Sequence, residues 1–220
     1  MITARYARYM VIVFDVNGTL LDLTVVHRWF DERSSETGTG SRWFAELVRL
    51  SLLSSITNRY RPFPDLALDA YSTILGHADG ARETVELLAS LPVHADVPRI
   101  LDRLEGDGHR LVALTNSPLG MARAQLAVGG IADRFETVLS VDMVQRFKPD
   151  PLVYRTAAAR LAVPIPSMTM VAAHDWDVAG AVAAGSRGIY VNRSGERYPD
   201  SFPRPDAVIE RMDDLPDVLA

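Results

Sequence analysis

The chain of 220 residues contains no cysteine, no apolar run approaching the roughly 20 residues that span a bilayer, and no block of basic charge. Without cysteine there are no disulfides and no thiolate metal sites, so any metal would have to be held by Asp, Glu or His. Without a long apolar run, no membrane association is expected. Lysine and arginine are spread singly along a chain of formal net charge -5, which leaves no electrostatic footprint for nucleic acid. The N-terminal stretch MITARYARYM lacks the apolar core of a secretory leader, and the expected location is the cytoplasm. Hydrophobic residues make up 48% of the chain, enough to bury a core in one large domain or two small ones.

Short apolar runs ending in polar residues recur at Met10 to Phe14, Leu111 to Leu114, Thr137 to Val141, Met168 to Ala172 and Gly188 to Val191. Each reads as a buried strand. Between them, Val97 to Leu104, Gly120 to Val128, Leu152 to Leu161 and Val178 to Ala184 carry apolar residues at helical spacing. Strand alternating with helix predicts an α/β fold with a Rossmann-like open, mostly parallel sheet and helices on both faces. The stretch from about Leu23 to Leu91 breaks the rhythm. It holds helix-like segments at Arg42 to Ile56, Asp65 to Leu75 and Ala81 to Leu91, is punctuated by Pro62, Pro64 and Pro92, and has no convincing strand. The simplest account is a core of residues 1–22 and 93–220 with an all-helical insertion, residues 23–92, after the first strand.

In open α/β sheets ligands bind beyond the carboxyl ends of the strands. Four polar clusters fall there: Asp15, Asn17 and Thr19; Thr115, Asn116 and Ser117; Lys148; and His174 to Asp177. A carboxylate directly after a buried strand has a fixed orientation and an open side, which suits a nucleophile. Gly18 permits the sharp turn that follows. Each residue also has an ordinary reading. Asp15 and Asp177 suit helix caps, Thr115 and Asn116 suit strand-end turns, Lys148 suits the surface, and His174 suits a satisfied loop position. The order and spacing of all four clusters favour a site.

These motifs resemble those of the haloacid dehalogenase-like superfamily. The strand is followed by Asp15-Val16-Asn17-Gly18-Thr19. Then come Leu114-Thr115-Asn116-Ser117, Lys148-Pro149-Asp150-Pro151, and His174-Asp175-Trp176-Asp177 ahead of Ala183-Ala184-Gly185. The resemblance implies a Rossmann-like core with a helical cap after the first strand, in agreement with the periodicity. Within the superfamily, phosphatases place a second Asp two residues after the nucleophile to protonate a leaving alkoxide. Asn17 stands there, and a carboxamide cannot act as that acid. A halide leaves without a proton. Ala172 and Ala173 also open the loop where phosphatases carry acidic magnesium ligands.

The branch most resembled is the type II (L-)2-haloacid dehalogenases, through Val141-Asp142, Lys148 to Tyr154, Trp176-Asp177 and Asn58-Arg59-Tyr60. That resemblance implies hydrolysis of a small anionic 2-haloacid through an Asp15 alkyl ester, without cofactor or metal. A homodimer is the assembly it suggests. Lys148 would activate Asp15, Thr19 and Thr115 would orient it, and Asn116 would help hold the halide. Tyr154 would support the substrate carboxylate or Lys148, and Asp177, helped by His174, would direct water onto the ester. Trp43, Phe44, Leu47, Tyr60 and Phe63 would give the cap an apolar wall around the leaving group, although such aromatics serve equally as helix core, and Trp176 would join the substrate-binding residues.

The sequence departs from this pattern at several points. Asn17 replaces an aromatic of the substrate pocket, and His174 and Ala172 replace an Asn and a Ser of the last loop. Phe44 stands where the cap arginine that binds halide or carboxylate is expected. Arg42, two residues away, would face elsewhere on a helix, which leaves Arg49, Arg59 and Arg61 as the candidates to replace it. Two other readings remain: a phosphatase using Mg2+, or a non-catalytic binding protein of the same fold.

Overall fold

The computed structural model describes residues 10–34 and 36–219. Residues 1–9, which open the expected core and bear on the expected location, lie outside them. Among the described residues six parallel strands form one sheet: β1 (Val11–Phe14), β2 (Arg110–Thr115), β3 (Thr137–Ser140), β4 (Met168–Ala172), β5 (Arg187–Val191) and β6 (Ala207–Ile209), in the order β3-β2-β1-β4-β5-β6. Every residue of β1 and β4 is buried, as expected of central strands covered on both faces. Chain order reverses direction at β1, which lies between β2 and β4. Phe14 pairs with both Ala113 and Val171, so the carboxyl ends of these strands finish nearly level. The residues after them therefore converge at the topological switch point.

Between β1 and the sheet's next strand lie α1 (Thr24–Arg33), α2 (Thr39–Ile56), α3 (Phe63–Leu75), α4 (Ala81–Ala89) and α5 (Val97–Gly106). The remaining helices are α6 (Leu119–Val128), α7 (Pro151–Arg160), α8 (Asp175–Ala184) and α9 (Leu215–Leu219). Helices α1 to α4 fall within residues 23–92. Phe30, Trp43, Leu47, Ala67, Tyr71 and Leu88 are buried among these helices, and Phe30 stacks on Trp43 with ring centroids 4.9 Å apart. Burying each large apolar side chain stabilises the fold by roughly 1.5–3 kcal/mol. No helix among the described residues is long and apolar enough to cross a membrane.

Helix α1, strand β6 and helix α9 were not foreseen. Only Val26 and Phe30 of α1 are buried, too few to show a helical period. β6 is a three-residue edge strand with Val208 exposed, and α9 has five residues.

Several polar contacts fasten the inserted helices to the strand ends. Phe147 N donates to Ser55 Oγ at 2.8 Å, Arg146 reaches the Ser55 carbonyl and Asn58, and the Tyr60 hydroxyl donates to Asp142. Burial first, and then the Asp142 carboxylate, push the Tyr60 phenol above its ordinary pKa, so it stays a donor. The local features Asn58-Arg59-Tyr60 and Val141-Asp142 thus include the two sides of one clasp.

Candidate active site

Asp15 follows β1 and is 4% exposed. Its Oδ1 accepts from Lys148 Nζ at 2.7 Å, and its Oδ2 accepts from Thr19 Oγ1 at 2.8 Å. Thr19 Oγ1 in turn accepts from Ala173 N at 2.9 Å, so both oxygens of the carboxylate are held from the backbone outward. Gly18, at φ +88, makes the turn. A Cβ there would lie 2.7 Å from His174 Nε2, so glycine is also what lets the imidazole close over the loop.

Lys148 is 1% exposed, which removes the surface reading. It is the only lysine in the chain; every other one of the 23 basic residues is arginine. Its ammonium donates to Asp15, to the Leu114 carbonyl at 3.0 Å and to Asp177 Oδ2 at 2.5 Å, which uses all three N–H groups. Its backbone N–H donates to Asn116 Oδ1 at 3.0 Å. Burial alone would push the ammonium pKa down, but the two carboxylates hold it above its ordinary value. Helix α8 can come this close because residue 180 is glycine; a Cβ there would meet Pro149 Cβ at 2.4 Å.

Asp177 is fully buried in the first turn of α8 and does not cap it; His174 is the N-cap residue and makes no capping bond. Burial raises the pKa of Asp177, with Lys148 opposing. Its Oδ1 accepts from the Tyr154 hydroxyl at 2.7 Å. Burial and this carboxylate keep the Tyr154 phenol well above its ordinary value, so it remains a donor.

A small, partly open pocket over Asp15 is lined by Asp15, Asn17, Phe44, Val48, Phe63, Thr115, Asn116, His174 and Trp176. Most of the sequence candidates meet there, with four adjustments. Trp43 is buried inside the inserted helices, its indole N–H donating to the Ala67 carbonyl at 3.1 Å, and it does not line the pocket. Tyr154 lies behind Asp177 and holds that carboxylate, so it touches neither the pocket nor the Lys148 ammonium. Asp177 has both oxygens committed and stands behind Lys148, where it positions the ammonium rather than facing a water in the pocket. Thr115 lines the pocket, but its Oγ1 accepts from Ser117 N at 3.0 Å, which leaves Thr19 as the hydroxyl on Asp15.

Two participants, Val48 and Gln125, escaped the sequence reading, and Ser117 was placed in a cluster there without a role. Val48 lines the pocket one helical turn beyond Phe44. Ser117 Oγ accepts from Asn17 Nδ2 at 3.1 Å, and Gln125 Nε2 donates to Asn17 Oδ1 at 3.1 Å and to the Leu88 carbonyl on α4. Both ends of the Asn17 carboxamide are therefore fixed. The rarity of lysine would have marked Lys148, but nothing local marks Gln125, which is 108 positions from its partner.

No arginine or lysine lines the pocket among the described residues. Arg42 pairs with Glu36, Arg49 with Glu46 and Arg61 with Asp69, and Arg59 is exposed outside the lining. None of the three candidates, nor Arg42, replaces the expected cap arginine. A magnesium ion needs several oxygen ligands in octahedral array. Here the Lys148 ammonium already bridges Asp15 and Asp177, and no group of three or more His, Asp or Glu among the described residues is arranged to hold a metal. The donor set does not fit magnesium.

Comparison with known proteins agrees with this geometry. The family model for haloacid dehalogenase-like hydrolases matches residues 9–185. The (S)-2-haloacid dehalogenase of Pseudomonas sp. (strain YL) is 30% identical over 203 residues, which cover 89% of this chain and 88% of that one. The (S)-2-haloacid dehalogenase 1 of Pseudomonas sp. (strain CBS-3) is 27% identical over 216 residues, covering 94% and 95%. Among solved structures, an L-2-haloacid dehalogenase superposes with a TM-score of 0.90 at 25% identity, covering 96% of this chain and 99% of its own. With the matched motifs, the parallel sheet and the buried Asp15–Lys148 pair in agreement, the chain belongs to the haloacid dehalogenase-like hydrolases.

Proposed function

We propose that this chain hydrolyses small 2-haloacids, with residues 23–92 as the cap over the site. The observation that carries the reading is Asp15, clamped by Lys148 and Thr19 at the base of a pocket in which residue 17 is a locked carboxamide. A carboxylate so oriented attacks carbon in line. The bond from the Thr19-held oxygen to the substrate carbon forms as the carbon–halogen bond breaks, and the halide leaves with the electron pair. Water then attacks Cγ of the ester. The oxygen held by Lys148 carries the developing negative charge, and collapse releases the 2-hydroxy acid, regenerates the carboxylate and yields a proton. Asn17 has no proton to give a departing alkoxide, which weighs against a phosphatase; halide needs none. Phe44, Val48 and Phe63 supply the apolar wall that excludes bulk water. The names of the relatives point to the (S) enantiomer.

The test is halide release from chloroacetate, 2-chloropropionate and fluoroacetate in the presence of a chelator. Magnesium-restored hydrolysis of phosphate monoesters, with no halide from any haloacid, would overturn the reading. With enzyme in excess, one turnover in oxygen-18 water should label the Asp15 peptide and leave the hydroxy acid unlabelled. Label in the hydroxy acid alone would remove the ester.

A further inference from the structure

The charges around Asp15 do not suit an anionic substrate as they stand. Two carboxylates, Asp15 and Asp177, surround one ammonium, leaving an excess of one negative charge. Lys148 has spent its three N–H groups on protein acceptors and has none for a ligand. The one pocket-lining side chain that can take a positive charge is His174, among the described residues. Its Nε2 faces the Asn17 carbonyl at 2.9 Å and Asp15 Oδ2 at 3.7 Å, two acceptors, so Nε2 carries a proton and donates to Asn17 O. Its other nitrogen, Nδ1, has no hydrogen-bond partner among the described residues and is not one of the buried unpartnered atoms, so it is open to a ligand.

The surroundings suit a cation. His174 stacks on Trp176 at 5.0 Å and on Phe44 at 5.3 Å, both within the range at which an aromatic face attracts positive charge. The charged and titratable groups around it are Asp15 on the β1 loop, Lys148 behind that carboxylate, His27 on α1, and Asp175 and Asp177 on its own helix.

We propose that His174, as the imidazolium, anchors the substrate carboxylate through Nδ1–H and supplies the positive charge that no arginine or lysine brings to the pocket. This rests on the 2-haloacid reading above. It makes substrate capture proton-dependent, because an imidazolium loses its charge where a guanidinium does not.

Propionate, the unreactive skeleton of 2-chloropropionate, is the probe, with full-length protein. Its affinity, measured by calorimetry from about pH 5.5 to 8.5, should fall towards tenfold per pH unit on the alkaline side. His174→Asn should bind propionate about ten- to a hundredfold more weakly and without pH dependence. Adding Phe44→Arg to that variant should restore binding, still without pH dependence. A separate readout needs no substitution of the histidine. An imidazolium quenches an adjacent indole, so the Trp176 contribution to fluorescence should titrate with pH, and propionate should move that titration towards higher pH by linkage.

Binding that is independent of pH in the wild type, a titration unmoved by propionate, or His174→Asn binding as tightly as wild type would each overturn the assignment. So would capture of bromide but not propionate, which would make the position a halide site. Proton-dependent propionate binding without halide release from any haloacid would sink the dehalogenase reading alone. Halide release with proton-independent binding would sink the His174 assignment alone.

Discussion

In the floor beneath the pocket, Thr19, Asp15, Lys148, Asp177 and Tyr154 form a chain in which each polar group is committed to the next, whereas the roof side chains Phe44, Val48 and Phe63 offer only carbon. The floor is buried, so each unmet bond there would cost the full desolvation of its partner. That makes the arrangement hard to change one residue at a time. The roof can exchange one apolar side chain for another at little cost, and the same position can gain or lose a charge. On the proposed reading, reaction chemistry resides in the floor, and the choice of substrate in the roof and in His174 beside it.

The strongest way to break this contrast is Lys148→Ala. Two carboxylates would then face each other without a counter-charge in a buried site. Breaking a buried pair in this way costs about 3–5 kcal/mol, and loss of the donor on the developing oxyanion should lower turnover about 10³-fold. Urea unfolding and halide release measure the two effects. Near-normal turnover would show that the floor is structural.

The next comparison sets two adjacent residues against each other. Trp43→Ala should cost about 3–5 kcal/mol of stability while leaving turnover per folded molecule unchanged. Phe44→Ala should do the reverse, with a small change in Tm and a marked rise in KM for 2-chloropropionate. Equal effects from both would erase the distinction between helix core and roof.

These neighbours also show where the sequence stopped being legible. The four strand-end clusters were readable because a polar group after a continuous apolar run has few other reasons to be there, and the parallel register brings those ends together. The sheet itself was readable wherever a strand was buried on both faces. Which way a helical side chain points was not. Successive residues differ by about 100°, so whether Trp43 or Phe44 meets the pocket depends on how α2 is rotated against α1 and α3, a matter of packing. Tyr154 and Asp177 were recognised as chemistry-bearing residues for the same reason that their targets were missed: residue type limits what a group can donate or accept, but not its neighbour. Gln125 was illegible altogether, because its contacts with Asn17 and Leu88 join segments distant in the chain.

Within the floor, Tyr154→Phe is the milder test. It removes one hydrogen bond to Asp177 while Lys148 still pairs with that carboxylate. The expected cost is about 1–3 kcal/mol in stability, with kcat down about tenfold and KM little changed. A rise in KM at constant kcat would instead mean that Tyr154 contacts substrate.

The smallest expected effect separates the two regions by pH. Lys148 is raised above its ordinary value, so the stability it contributes is complete below about pH 10.4, the unfolded lysine value, and is lost only as pH rises through the folded one. His27 on α1 and His94 beside the β1 loop behave in the opposite way. Burial lowers both, and both have a buried Nε2 without a partner. An unfolded chain takes up these protons as pH falls below about 6.5, while the folded chain resists them, so stability should decline gently from there downward. His27→Gln and His94→Gln should each flatten that decline in Tm against pH. Should the slope persist in both variants, the acid sensitivity would lie elsewhere, and the view that Lys148 is untouched while the histidines at the edge titrate would have to be given up.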